Sequence, residues 1–152
     1  MSENLIWRQK IRIEKSEMPI ETSTICCAKD CETLLRAIYA FDKNDLTAFE
    51  WLYAIYLDQA ARVMSVLLIS EGSLNCTTFD VGKVAQGALM ANSKRVILGH
   101  NHPSDQVRPS RADALITEDT VNGLRLLNIE LEDHIIIGET NCFSFADQGM
   151  LR

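Results

Sequence analysis

Segments with the apolar spacing of helices alternate along the chain with apolar segments typical of strands. This alternation restricts the fold more than any other feature of the sequence. Helices are predicted near 31–41, after Asp80 and after Ser110. Asp30 is the predicted N-cap of the first helix. Strands are predicted at five apolar runs, the first two forming a hairpin: 48–57, 63–69, 95–99, 129–137 and 142–145. The pattern predicts an α/β domain with a mixed β-sheet flanked by helices.

The length of the chain, 152 residues, is that of one domain. Ile11 and Ile13 alternate with basic residues, which predicts a short strand near 5–14 in a polar N-terminal segment. We therefore expect an N-terminal extension over residues 1–28 and a folded domain over residues 29–152. No internal repeat or low-complexity tract interrupts that domain.

The net charge of the chain is -6. A protein that binds nucleic acid usually carries a basic stripe, because neutralising phosphates supplies most of the non-specific affinity. Only two short neighbourhoods, residues 8–12 and 108–111, are basic. The charge therefore argues against a primary role in DNA binding.

The cysteines predict the compartment. There are five of them, an odd number, and no C-x-x-C spacing occurs, which favours reduced thiols over a disulfide framework or a cysteine zinc site. The N-terminus lacks the pattern of a signal peptide. No apolar run approaches the ~20 residues needed to cross a bilayer. We expect a cytoplasmic protein that does not contact a membrane.

The segment that carries chemistry begins with His100-Asn101-His102 and ends with Asp113. In an extended chain, side chains two residues apart point the same way, so His100 and His102 can present both imidazoles to one point. Asp113 lies in the first turn of the next predicted helix, and the loop between can fold back. Two nitrogens and one carboxylate oxygen at ~2.0 Å suit Zn²⁺, and three protein ligands leave a fourth position for water. The spacing predicts a catalytic site with one zinc ion per chain.

Each part of this segment also has an interpretation without function. Two exposed loop histidines would give the same His-x-His pattern. Ser110 and Asp113 have the spacing of a helix capping box, and Pro103 and Pro109 suit turns. The joint spacing is far more specific than any of its parts.

The spacing H-x-H-x₇-S-x₂-D over residues 100–113 is the JAMM motif of JAB/MPN metalloenzymes. More closely, the chain resembles the short form of the RadC family, without the helix-hairpin-helix module of longer members. The resemblance covers about residues 30–152. It implies a cytidine-deaminase-like fold and a zinc-dependent hydrolase related to peptidases and isopeptidases, with a protein or peptide as substrate. The matching segments are 69–72 (ISEG), 100–104 (HNHPS), 109–113 (PSRAD), 133–136 (DHII) and 144–147 (SFAD).

The resemblance also implies a general base, and the residue that matches it is Glu50. The residues support this independently, since Glu50 lies in an apolar run on the same side as Ala48, Leu52 and Ala54. A buried glutamate is costly unless it is paired or near a metal. The alternative is an edge strand with Glu50 in solvent. In the implied mechanism Glu50 moves the proton of the attacking water to the leaving amine, and Ser110 stabilises the oxyanion.

Three neighbouring residues receive other predictions. Asn101 is expected to brace the loop, and His134 to be a core histidine with satisfied hydrogen bonds rather than a ligand. Asp105 replaces the glycine usual in the family. Glycine there would permit a positive φ, which aspartate tolerates better than most residues. A carboxylate at this position would also repel anionic substrates.

Three other functions compete with the peptidase. A zinc nucleoside deaminase shares the fold, but its H-x-E and P-C-x-x-C motifs are absent from the sequence. A non-enzymatic interaction module is disfavoured because the ligands and Glu50 are all present. DNA association is suggested by the family name alone. The oligomeric state is left open.

Overall fold

Three helices and five strands make up the computed structural model, which describes residues 12–18, 23–72 and 79–151. The predicted α/β class with a mixed sheet is confirmed. In chain order the elements are α1 (Ala28–Asp42), β1 (Glu50–Leu57), β2 (Val63–Gly72), α2 (Val81–Met90), β3 (Arg95–Asn101), α3 (Arg111–Arg125), β4 (Glu130–Ile137) and β5 (Cys142–Ser144).

The strands form one sheet in the order β2-β1-β3-β4-β5. The predicted hairpin is confirmed as β1 and β2, and every neighbouring pair is antiparallel except β3 and β4. These two parallel strands are joined by α3. In such a unit the carboxyl ends of both strands lie at one edge of the sheet, where ligands commonly bind. The His-x-His segment lies at the carboxyl end of β3.

Both faces of the sheet are covered by helices. On one face α1 packs against β1, β3 and β4, and on the other α2 and α3 pack against alternate residues of the same strands. Gly99 allows the close approach of α1, since a Cβ atom at this position would lie 2.4 Å from Leu35 Cδ1. Burial of each large aliphatic side chain in these two layers contributes roughly 1.5–3 kcal/mol.

Two of the three predicted helix caps are confirmed. Asp80 accepts a hydrogen bond from the Gly82 N–H at 2.8 Å, and Ser110 caps α3. The prediction that Asp30 is the N-cap is wrong by three residues, which is about one helical turn. The N-cap of α1 is Cys27, and Asp30 lies inside the first turn, where its carboxylate accepts from the N–H groups of Cys26 and Cys27.

The largest correction concerns β3. It extends to Asn101, two residues past the predicted 95–99, because β1 and β4 both continue to pair with it. His100 therefore lies inside a central strand rather than in the proline-containing loop. α3 ends at Arg125, short of Leu127, and Ala48 lies in a turn before β1.

The N-terminal strand predicted near 5–14 lies mostly outside the described residues, and its described part, residues 12–14, is not in a strand. The division at residues 28 and 29 stays a prediction. The described cysteines, Cys26, Cys27, Cys31 and Cys142, carry free thiols. No helix within the described ranges is long and apolar enough to cross a membrane. The cytoplasmic location stays a prediction.

Candidate metal centre

The structure brings His100, His102 and Asp113 together at the edge of the sheet. One potential ligand atom from each residue lies within 4.8 Å of the others. The two Nε2 atoms are 3.0 Å apart, and each lies near a different oxygen of Asp113, at 3.2 Å for His100 and 3.3 Å for His102. His100 and Asp113 are buried, while His102 is partly exposed. The three side chains therefore converge on one point that can be reached from solvent.

Asp113 is held in place by a helix capping box, which confirms the capping-box interpretation of Ser110 and Asp113. The Ser110 hydroxyl accepts from the Asp113 N–H at 3.1 Å, and Asp113 Oδ2 accepts from the Ser110 N–H at 2.7 Å. The hydroxyl in turn donates to Asp113 Oδ2 at 2.7 Å. The cap therefore fixes the carboxylate in the orientation that faces both imidazoles.

The outer nitrogen of His102 defines which of its atoms can bind a metal. His102 Nδ1 lies 2.6 Å from the carbonyl oxygen of Gln106, which can only accept, so Nδ1 carries the proton. In the neutral ring, Nε2 is left with a lone pair directed at His100 and Asp113. The His102 N–H also donates to the Ile137 carbonyl at 3.0 Å, which ties this residue to the end of β4.

The electrostatics favour an ionised Asp113. Burial raises the pKa of the Asp113 carboxyl, but the hydrogen bonds that His100 and His102 donate from Nε2 when their rings are protonated lower it much more, so the pKa lies well below its ordinary value. Burial lowers the pKa of His102, but the protonated ring donates hydrogen bonds to Asp113 and to the Gln106 carbonyl, and these outweigh burial and raise the pKa. A carboxylate that keeps its charge in a buried position beside two imidazoles is suited to a cation.

A cavity of about 260 Å³ opens in front of the cluster. It contains His102, Asp113 and the two predicted catalytic residues, Glu50 and Ser110. Every residue of its wall is polar: Glu50, His102, Ser104, Gln106, Arg108, Ser110 and Asp113. The cavity therefore gathers all predicted site residues except His100, which lies behind them.

Glu50 is the first residue of β1 and is half-buried, so the prediction that it lies buried within the strand is corrected. Leu52 pairs with His100 in the antiparallel β1–β3 register. Glu50 lies two residues before Leu52, and His102 two residues after His100. The register therefore carries Glu50 and His102 to the same end of the sheet and onto the same face.

Asn101 braces this end of the sheet, as predicted, although it does so from β3 rather than from a loop. Its Oδ1 accepts from the Trp51 N–H at 2.8 Å, and its Nδ2 donates to the carbonyls of Leu46 and Phe49 at 2.9 Å. The residues on both sides of Glu50 are thus held by the residue between the two histidines.

Asp105 adopts the positive φ that its position predicted, with a value of 61°. Its N–H donates to the His102 carbonyl at 3.0 Å, and its Oδ1 accepts from the Glu139 N–H at 2.5 Å. The carboxylate therefore faces the β4–β5 turn and is not part of the cavity wall. The expected repulsion of anionic substrates by Asp105 has no basis in this arrangement.

His134 is a buried, hydrogen-bonded core histidine, as predicted, but its partner is a site residue. His134 Nε2 lies 2.8 Å from His100 Nδ1, and Thr117 Oγ1 lies 2.7 Å from His134 Nδ1. Burial lowers the pKa of His134 well below its ordinary value. The sequence carried no local signal for this contact between residues 34 positions apart.

The donor set fits a zinc ion. Two imidazole nitrogens and one carboxylate form the ligand set of many catalytic zinc sites, and such imidazoles donate their other N–H to a neighbouring group. The hydrogen bond from His102 Nδ1 to the Gln106 carbonyl is a contact of that kind. The partly exposed His102 and the cavity in front of it leave room for water or substrate.

The fold and the site define the class of protein, an α/β domain with a His-His-Asp cluster at the carboxyl end of a parallel strand pair. A family model described as a RadC-like JAB domain matches residues 26–150, and the chain belongs to this family.

Comparison with curated proteins agrees with this family. A UPF0758 protein of Methanosarcina barkeri is 38% identical over 128 residues, which are 84% of this chain and 54% of the relative. The UPF0758 protein YeeS of Escherichia coli is 40% identical over 97 residues, 64% of this chain and 66% of YeeS. A UPF0758 protein of Porphyromonas gingivalis is 36% identical over 141 residues, 92% of this chain and 60% of the relative. The chain spans about half the length of several of the curated relatives it matches.

Proposed function

We propose that the protein is a metal-dependent hydrolase of the JAMM type, which binds one Zn²⁺ and cleaves peptide or isopeptide bonds. The observation that carries the proposal is the convergence of His100, His102 and Asp113 within 4.8 Å, at a cavity that also contains Glu50 and Ser110. The two Nε2 atoms and the Asp113 carboxylate are the ligands. When bound, the zinc ion supplies Lewis acidity that lowers the pKa of water to about 7.

Glu50 is the general base and then the general acid. Its carboxylate lies in the wall of the cavity that contains His102 and Asp113, so it can reach a water held between them. It accepts the proton of the attacking water and returns that proton to the leaving amine. Half-burial and the Asn101 bracing keep the carboxylate in the cavity while solvent still reaches it.

Ser110 stabilises the charge that develops on the carbonyl oxygen of the substrate. Its hydroxyl donates to Asp113 Oδ2 at 2.7 Å, so it must rotate towards the cavity to donate to a substrate oxygen. Rotation leaves the carboxylate held by the Ser110 N–H at 2.7 Å. One hydrogen-bond donor of this kind contributes roughly 3–4 kcal/mol to transition-state stabilisation.

The substrate class rests on the resemblance to JAMM enzymes and on the chemistry of the cavity. Its wall offers a base, a hydroxyl donor and the guanidinium of Arg108, which suits the polar backbone of a polypeptide.

Two other functions can be distinguished from peptide hydrolysis by experiment. A protein that binds zinc but cleaves no peptide is an interaction module. DNA association would appear as binding to duplex DNA that weakens steeply with salt, although the net charge of -6 weighs against it.

The test is to incubate the zinc-loaded protein with a mixture of proteome-derived peptides and of isopeptide-linked peptides, and to identify new termini by mass spectrometry. We expect new termini with the wild type and none with Glu50→Gln, while both proteins retain zinc. Glu71→Gln is the matched control, because Glu71 is exposed and pairs with Trp51, on the opposite face of the sheet from Glu50. Equal cleavage by the Glu50→Gln and wild-type proteins would remove Glu50 from the mechanism.

A further inference from the structure

The outer nitrogen of His100 leads into a buried chain of hydrogen bonds. His100 Nδ1 lies 2.8 Å from His134 Nε2, and His134 Nδ1 lies 2.7 Å from Thr117 Oγ1. Thr117 Oγ1 in turn donates to the backbone carbonyl of Asp113 at 2.6 Å. All four residues are buried. The chain begins at one member of the candidate metal centre and ends at the backbone of another.

The direction of every hydrogen bond in this chain follows from its last member. The Asp113 carbonyl can only accept, so the single proton of the Thr117 hydroxyl is used there. Thr117 Oγ1 must then accept from His134, which places a proton on His134 Nδ1. In a neutral imidazole the other nitrogen, Nε2, is an acceptor. It therefore accepts from His100, and the proton of His100 is on Nδ1.

The consequence appears at the other nitrogen of His100. With its proton on Nδ1, the neutral ring directs the lone pair of Nε2 at His102 and Asp113, where a metal ligand is needed. The opposite tautomer would place a hydrogen at that point and exclude a cation. Hydrogen bonding at one imidazole nitrogen determines which nitrogen can bind a metal.

We propose that His134 and Thr117 are positioning residues, which fix the tautomer of His100 and thereby set the metal affinity of the site. The proposal rests on the metal centre of the proposed function but extends it to two residues outside the ligand set. His134 acts through its proton and Thr117 through its hydroxyl; neither touches the metal.

Ring orientation and proton position can be separated in this protein. The His134 ring stacks on Phe145 with centroids 4.9 Å apart and an angle of 13° between the planes. This stacking orients the ring whether or not Thr117 has a hydroxyl. Thr117→Val therefore removes the acceptor that fixes the proton of His134 and retains the shape of the side chain. Thr117→Ser retains the acceptor.

Thr120 provides a matched control on the same helix. It is fully buried, and its hydroxyl donates to the Ile116 carbonyl at 2.7 Å, the same contact that Thr117 makes with Asp113. Thr120→Val removes an equivalent hydroxyl and helix contact without changing any hydrogen bond to a histidine in the described structure. A purely structural effect of losing a buried threonine would therefore be equal in the two variants.

The experiment measures tautomer and affinity in the same set of proteins. Imidazole ¹⁵N shifts of the metal-free protein, recorded at mildly alkaline pH, report which nitrogen of His100 carries the proton. Competition with a chromogenic chelator gives the zinc dissociation constant. We expect the His100 proton on Nδ1 in the wild type, Thr117→Ser and Thr120→Val, and a shift of population to Nε2–H in Thr117→Val. Zinc affinity should fall roughly 10–100-fold in Thr117→Val and change less than about threefold in the other two.

Two results would overturn the proposal. One is a His100 proton on Nε2 in the metal-free wild type. The other is an equal zinc affinity for Thr117→Val and Thr120→Val. A wild-type protein that binds no zinc would instead overturn the proposed function together with the affinity statement. The ¹⁵N spectra would still decide the tautomer, so the two failures are distinguishable.

Discussion

The side-chain oxygen of Asn101 accepts a hydrogen bond from the backbone N–H of Trp51 at 2.8 Å. This contact joins the strand that carries the two histidines to the strand that begins with Glu50. The same side chain donates to the carbonyls of Leu46 and Phe49, so one amide group holds the residues that lead into β1. The distance between the proposed base and the proposed ligands therefore depends on a residue that belongs to neither group.

Replacing Asn101 with alanine tests this dependence. The change leaves the Trp51 N–H and two carbonyls without their partner, which costs about 1–3 kcal/mol for each buried group that water cannot reach. We expect a lower free energy of unfolding in urea and a loss of turnover larger than the loss of zinc. Full turnover in a folded Asn101→Ala protein would mean that Glu50 is placed by other contacts.

Asp105 provides a second test, through its backbone conformation and its carboxylate. Its φ of 61° is strained for alanine by about 1–2 kcal/mol, whereas glycine and asparagine adopt it readily. Only asparagine among these also retains the side-chain acceptor for the Glu139 N–H. We expect stability to decrease in the order Asp105, Asn, Gly, Ala, as measured by urea unfolding.

The zinc dissociation rate should increase in the same order of variants, from Asp105 to Ala. The reason is that the Asp105 N–H donates a hydrogen bond to the carbonyl of His102, one of the proposed ligands. If Asp105→Ala had the stability and zinc dissociation rate of the wild type, the loop would not depend on this contact.

The raised pKa of His102 predicts opposite effects of pH on the metal-free and the zinc-loaded protein. A histidine whose pKa is raised by folding contributes stability that is fully present below its unfolded value of 6.5 and is lost as the pH rises through its folded value. Zinc binds only the deprotonated ring, so the affinity of the site for zinc increases as the pH rises through the pKa of His102.

Thermal melts between about pH 5.5 and 8.5 check this prediction. The increase in Tm caused by zinc should grow with pH in the wild type. His102→Ala should remove both the pH dependence contributed by this residue and most of the zinc effect. An increase in Tm that does not vary with pH in the wild type would contradict the assignment of His102 as a ligand.

Local signals predicted much of the fold. The caps Asp80 and Ser110 follow from the sequence because a helix cap depends on only a few consecutive residues. The sequence does not give the position of Asp30, because aspartate suits both the N-cap and the first turn. Its place in the first turn depends on the hydrogen bonds that the N–H groups of Cys26 and Cys27 donate to its carboxylate. The local sequence does not reveal that His100 lies in a strand, because that conformation comes from pairing with both β1 and β4.

The candidate site divides in the same way. The motif spacing predicted the residues that converge, since His100, His102 and Asp113 lie within 14 positions of one another. The supporting contacts are long-range. His134 reaches His100 through the packing of β4 beside β3, and Asp105 reaches Glu139 through the β4–β5 turn. Neither contact leaves a local pattern in the sequence, because each joins residues that are 34 positions apart.

The measurement that tests the account most directly is the zinc content of the purified protein, determined by elemental analysis beside the variant His102→Ala. The account predicts about one zinc per chain in the wild type and a large loss of zinc in the variant, since three ligands hold one ion. Less than about half a zinc per chain in the wild type, with no change in His102→Ala, would contradict it.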